Sequence, residues 1–173
     1  MEPPSISHAC FGFLSFNGKQ YTDSDFAETI DYLMANPNAI TQMDLDGNQL
    51  TDVTGVKLAQ YVAASFTIEL MDLANNRFGE ETYLAFAAAL RVNTSLEDLF
   101  LEGNLEVDRA RVDTAFIHAS RLNFNLSFTS VWYLYSTESE FERLQTIACR
   151  LGHPTLQELL VDREISTEKH NSN

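Results

Sequence analysis

The chain is poor in the residues that would mark a disulfide scaffold, a nucleic-acid binder or a membrane protein. Only two cysteines occur in 173 residues. Cys10 and Cys149 lie far apart and form neither a CxxC motif nor a disulfide framework, which suits a reducing compartment. Basic residues are scarce: 11 Lys and Arg stand against 25 Asp and Glu, for a formal net charge of -14. Such a field repels polyanions, and no basic patch offsets it, so neither nucleic acid nor an anionic membrane is expected as a partner. Long hydrophobic runs are missing too. No stretch nears the roughly 18 apolar residues of a membrane helix, and MEPPSISHACFGFLSF lacks a basic segment followed by an apolar one. We therefore expect a soluble, cytoplasmic protein without a Sec-type signal. The four histidines, His8, His118, His153 and His170, are dispersed and form no H-x-x-x-H pair, so no metal or other cofactor is expected.

What the chain does have is a repeat. Ile40, Ile68 and Leu96 are 28 residues apart each time. Met43, Met71 and Leu99 run in step with them, as do Leu45, Leu73 and Leu101, and then Asn48, Asn76 and Asn104. Leu50 and Phe78 fill a fifth column, where the third copy has Glu106 flanked by Leu105 and Val107. A divergent first copy, FGFLSFNGKQY, places Phe11, Leu14, Phe16 and Tyr21 in the apolar columns and Lys19 where Asn is expected. A fixed period of this length signals a stack of like units, each covering its apolar side only against the next.

Between copies the apolar period changes from two to about 3.6, which predicts a helix after each strand. The helices fall at about Asp25 to Met34, Asp52 to Ala64, Glu80 to Arg91 and Asp108 to Arg121. The expected core stripes are Phe26, Ile30, Leu33 and Met34; Val53, Val56, Leu58, Ala59 and Val62; Leu84, Ala85, Phe86, Ala87 and Leu90; and Val112, Ala115, Phe116 and Ala119. Acidic residues in or before the first turns suit the positive helix end. Strand, turn and helix in each unit make neighbouring strands parallel.

The pattern L-x-x-L-x-L-x-x-N-x-L, with a helix of the L-A-x-x-L kind and the stretch NTSLEDLFLEGN from Asn93 to Asn104, resembles the ribonuclease-inhibitor-like class of leucine-rich repeats. The resemblance implies an α/β solenoid, a short horseshoe with parallel strands on the concave face and helices on the convex face. It further implies a turn after each strand in which Asn48, Asn76 and Asn104 stack as a structural ladder, their amides bonding backbone groups that would otherwise be orphaned. We expect a single leucine-rich repeat domain over residues 1–163, with repeats at about 11–39, 40–67, 68–95 and 96–123. A cap over 124–163 would close it, and 164–173 would form a polar tail. Within the cap, the stretch near Leu126 to Trp132 reads as a strand. Thr137 and Glu140 make a capping box for a helix that ends at Gly152, and a short helix starts from Pro154.

The charges have a place in this scheme. If 43 and 45 face the core, columns 42, 44 and 46 point to the concave surface. They hold Gln42, Asp44 and Asp46, then Leu70, Asp72 and Ala74, then Asp98, Phe100 and Glu102, so five of nine are carboxylates. Glu69 and Glu97 flank them at the strand starts, and the first copy adds Phe13, Ser15 and Asn17 at the edge. Two readings stand. One is a solvated face whose carboxylates serve solubility. The other is a partner-binding surface formed by Gln42, Asp44, Asp46, Glu69, Leu70, Asp72, Asp98, Phe100 and Glu102. The apolar anchors Leu70 and Phe100 inside one sign of charge favour the second.

Catalysis finds little support. Cys149 and His153 are four apart, but Gly152 should end the helix between them and no third group follows; a thiol enzyme remains the remote alternative. The segment DLDGN does not make a D-x-D-x-D-G calcium loop, and Asp44, Asp46 and Gly47 alone form no strong site. The resemblance implies a binding module, monomeric when free, that lays its concave surface over a protein with a basic or polar surface, in some members an enzyme active site. An inhibitor or regulator is therefore expected, and not an enzyme. A filament cap like the cytoskeletal tropomodulins, which end in a short repeat domain of similar architecture, is the alternative from another class, and a GTPase-activating role lacks matching loops here. The tail ELLVDREISTEKHNSN resembles those of leucine-rich effectors that Legionella-type bacteria inject into host cells, which would place the protein in a host cytoplasm.

Overall fold

The computed structural model describes residues 12–120. The expected cap over 124–163, the tail, and the Cys149 and His153 pair lie outside the described residues, as do Cys10 and Phe11. Within them, strands and helices alternate: β1 (Phe13–Ser15), α1 (Asp23–Ala35), β2 (Gln42–Asp44), α2 (Asp52–Ala64), β3 (Leu70–Asp72), α3 (Glu80–Ala89), β4 (Asp98–Phe100) and α4 (Arg109–Ser120). The strands form one sheet in the order β1-β2-β3-β4 with every pair parallel. Its register follows the repeat, for Leu14 pairs with Met43, Met43 with Met71, and Met71 with Leu99. None of the helices is long and apolar enough to cross a membrane among the described residues.

The apolar columns become the core. Leu14, Met43, Met71 and Leu99 are buried on one side of the sheet, and Phe16, Leu45, Leu73 and Leu101 follow them inward. Ile40, Ile68 and Leu96 bury the approach to each strand, and Tyr21, Leu50 and Phe78 bury the exit. Phe16 also sets its ring edge-on to Tyr21 and Phe26, a favoured aromatic geometry. The fifth column fails in the last copy, where Leu105 is 51% exposed.

The helices lie close to their expected positions, but their buried faces are rotated from the expected stripes. In α2 the inward residues are Thr54, Gly55, Leu58, Ala59, Tyr61 and Val62, while Val53 is 67% exposed. In α1, Thr29 joins Phe26, Ile30 and Leu33, and Met34 points outward. In α3, Thr82 and Tyr83 take inward places assigned to Leu84 and Ala85, which are half-buried. In α4, Asp113 and Ile117 join Val112, Phe116 and Ala119, whereas Ala115 is half-buried. At the start of α2, Thr51 accepts from the Val53 N–H and so caps the first turn.

Helix N-termini also tie one repeat to the next. Asp23, at the start of α1, accepts from the Thr51 N–H at 3.0 Å and from Thr51 Oγ1 at 2.7 Å. Burial opposes ionisation of Asp23, but hydrogen bonds from Thr54 and Thr51 outweigh it and hold the carboxyl below its ordinary value. Asp52 repeats the device one unit on, accepting from the N–H of Gly79 and from both N–H and hydroxyl of Thr82. At the next step, Glu80 of α3 pairs with Arg111 of α4. Negative charge at a helix N-terminus was legible in the sequence; its service to the following helix was not.

The turn after each strand has its own rule. Gly18, Gly47, Asn75 and Gly103 occupy equivalent places and all have positive φ, from 52° to 70°. Asn is the L residue that best tolerates this region, so Asn75 fits where the other units use glycine. The next residue in each later copy is the asparagine of the repeated column. Asn48 donates to the Leu45 and Phe16 carbonyls and accepts from the Tyr21 N–H. Asn76 donates to the carbonyls of Leu73, Leu45 and Ala74 and accepts from the Leu50 N–H. Asn104 donates to Leu101 and Leu73 and accepts from the Phe78 N–H. Each amide thus closes its own turn and bonds the preceding repeat. Asn93 does similar work at the opposite end of the strand, donating to the Val62 and Ser65 carbonyls and accepting from Ser95 and Leu96.

Candidate protein-binding surface

The parallel register lays the outward side chains in three rows across four strands. The first row reads Phe13, Gln42, Leu70, Asp98, and the second reads Ser15, Asp44, Asp72, Phe100. The third is Asn17, Asp46, Ala74 and Glu102, joined by backbone bonds from Gly18 to Asp46, Gly47 to Ala74 and Asn75 to Glu102; Ala74, expected on the open surface, is buried in this row. Adjacent parallel strands lie about 4.8 Å apart, so Asp44 and Asp72 stand side by side as like charges. None of the twelve positions is Lys, Arg or His. The two described ion pairs, Lys57 with Asp31 and Arg111 with Glu80, join helices.

Eight of the nine residues assigned to this surface from sequence fall in the rows. The ninth, Glu69, is exposed just before β3 and outside them, where its carbonyl accepts from Glu97 and Asp98. Leu70 and Phe100 are half-buried within the acidic field, and the more accessible apolar group is Phe13 at the edge, 42% exposed.

The carboxylates differ in how they are supported. Asp44 receives Ser15 Oγ at 3.2 Å, Asn17 Nδ2 at 3.3 Å and the Asp46 N–H at 3.1 Å. Asp46 receives Asn75 Nδ2 at 2.8 Å and Asn17 Nδ2 at 3.4 Å. Asp72 receives only the Ala74 N–H, at 3.0 Å, among the described residues. Glu102 has one carboxylate oxygen, Oε2, out of solvent and without a hydrogen-bond partner among the described residues. Sequence reasoning grouped these acids together. The offset between the Asp columns and the amides of Asn17 and Asn75 was the available signal that separates them.

Burial pushes the Asp72 carboxyl up from its ordinary 3.8 to about 6, the Ala74 hydrogen bond works against this, and the charges of Asp44, Asp46 and Glu102 add to it. The native state therefore binds more protons at Asp72 than the unfolded chain between those two values. The stability this contributes is full below the lower value and is lost as pH rises through the upper one. Asp72→Asn is expected to stabilise the fold at pH 7.5 and to leave it unchanged near pH 4, as measured by urea denaturation at both values. Among the described residues no group of three or more His, Cys, Asp or Glu is arranged to hold a metal ion.

No family model matches the sequence, and no curated protein is significantly similar to it. Its fold does match a solved structure, Leiomodin-1 Actin-Binding Site 2, with a TM-score of 0.65 over 90% of this chain and 88% of that one at 16% identity. The four parallel strands alternating with four helices, the 28-residue register and this likeness together define an α/β repeat fold of the leucine-rich-repeat kind.

Proposed function

We propose that the protein is a protein-interaction module that holds its partner on the open face of the sheet, opposite the buried columns. The observation that carries this reading is the three-row grid: five carboxylates and no cation over twelve positions, with Phe13, Leu70 and Phe100 among them. Like charges set side by side oppose folding, and an opposing cationic surface would relieve them. Apolar groups inside such a field supply desolvated contact area, the usual source of binding energy at a protein interface. The partner is a protein with a basic or polar surface, and the monomeric chain would inhibit or regulate an enzyme by covering its active site. That finer role, like a life as a bacterial effector in the host cytoplasm, rests on the sequence resemblance to ribonuclease-inhibitor-like repeats and to effector tails.

The reading is tested by affinity capture followed by titration of the captured partner. Reversing Asp72 and Asp98 to Lys and truncating Phe100 to Ala should weaken binding by roughly 100-fold and abolish most of its salt dependence. Unchanged affinity and unchanged salt dependence would remove the open face from the interaction.

A second reading, a filament-binding or filament-capping protein, draws on the fold likeness to an actin-binding site. Co-sedimentation with filamentous actin separates the two readings: recovery of the chain in the pellet, lost in the triple variant, would assign actin as the partner of this same face.

A further inference from the structure

The turn after β1 joins two residues of unusual mutual reactivity. Asn17 and Gly18 form the only Asn-Gly step in the sequence, and both are exposed. The Asn17 amide nitrogen donates to Asp44 at 3.3 Å and to Asp46 at 3.4 Å. One side chain thus serves both acids, through bonds longer than the common value of about 2.9 Å. Gly18 has a φ of 67°, and no atom lies within 4 Å of the place a Cβ would take there. With no side chain on Gly18, its backbone nitrogen can approach the side-chain carbonyl carbon of Asn17, and attack within one chain gains from that proximity. One restraint opposes the approach: the Gly18 N–H donates to the Asp46 carbonyl at 2.8 Å and must open first. β1 has β2 as its single strand neighbour among the described residues, and backbone bonds at such an edge open at lower cost than those of the core.

We propose that Asn17 is a deamidation site of the folded protein, and that its conversion takes from Asp44 and Asp46 the amide they share and sets a third carboxylate beside them. The Gly18 nitrogen bonds to Cγ of Asn17 and gives up its proton, the Cγ–Nδ2 bond breaks, and Nδ2 leaves as ammonia. Water then opens the resulting succinimide at either carbonyl, leaving aspartate or isoaspartate, so that one water is consumed for each ammonia released. The product has no N–H to donate: Asp46 keeps the Asn75 amide, and Asp44 keeps the Ser15 hydroxyl and the Asp46 N–H. Like charges gathered at one turn oppose each other and loosen the edge of the sheet. This chemistry needs no partner and is independent of what the open face binds.

The test incubates the folded full chain at neutral pH in oxygen-18 water and follows each asparagine by peptide mass spectrometry. Asn38, exposed but followed by Ala39, is the internal comparison. Asn17 should take up the label at least about tenfold faster than Asn38, with isoaspartate formed alongside aspartate. A rate at Asn17 no greater than that at Asn38 would overturn the site, and aspartate without isoaspartate would overturn the ring route. The Asn17→Asp variant reads the consequence directly. Its thermal midpoint should fall by about 2–4 °C at low ionic strength, and concentrated salt should remove most of the loss by screening. A midpoint equal to that of the wild type at low salt would overturn the coupling to Asp44 and Asp46.

Discussion

Asn76→Ala is expected to lower the stability of the protein by about 3–4 kcal/mol, a large share of the 5–15 kcal/mol typical of a domain. Four hydrogen bonds end on this one amide, and the residue is 6% exposed. Truncation strands the Leu50 N–H and leaves the carbonyls of Leu45, Leu73 and Ala74 short of a donor, in a turn that joins two repeats. Each buried group left unsatisfied costs about 1–3 kcal/mol, although a water entering the vacated space recovers part of this. Asn104→Ala is the internal control. That amide makes the same kinds of bond at the last described repeat, but it is only half-buried. Solvent can replace its donors, and the expected loss is about 1–2 kcal/mol. Guanidinium denaturation of both variants checks the difference; equal losses would show that burial does not govern the ladder.

Gly55→Ala should destabilise by about 2 kcal/mol, although alanine favours an exposed helix interior over glycine by about 1 kcal/mol. The sign is decided by the packing of α2 on α3. A Cβ at residue 55 would lie 2.1 Å from Thr82 Oγ1, 2.7 Å from Thr82 Cγ2 and 2.8 Å from Phe78 Cδ1. Thr82 cannot swing aside freely, because its hydroxyl and N–H both bond Asp52. Phe78 is wholly buried, so it has nowhere to retreat. Thr82→Ala removes the worst contact. The double variant Gly55→Ala with Thr82→Ala is therefore expected to be more stable than the sum of the single losses by about 1 kcal/mol. A neutral or stabilising Gly55→Ala would mean that the two helices stand further apart than the structure places them.

The reach of the sequence can be judged from these same residues. The columns of Ile40, Met43, Leu45 and Asn48 announced the strand register because a fixed period writes the same constraint several times over. Helix phase was harder to see. Thr54, Gly55, Thr82 and Tyr83 face inward without being strongly apolar, whereas Val53 is apolar and exposed, so a count of hydrophobic residues rotated the stripes. Bonds between repeats, such as those of Asp23 and Asp52, join residues 27 to 30 apart on different elements, where single-helix reasoning has no view. The acidic grid followed from strand alternation, but the hydrogen bonds that Asp44 and Asp46 receive depend on where two asparagine amides reach.

The most direct test of a partner held on the open face is site-specific photocrosslinking in the presence of the captured partner. A photoreactive residue in place of Gln42, exposed at the first row of the grid, should form a covalent adduct with the partner. The same residue in place of Val53, exposed on α2, should form none. Adducts from position 53 and none from position 42 would contradict the account and move the interface to the helices.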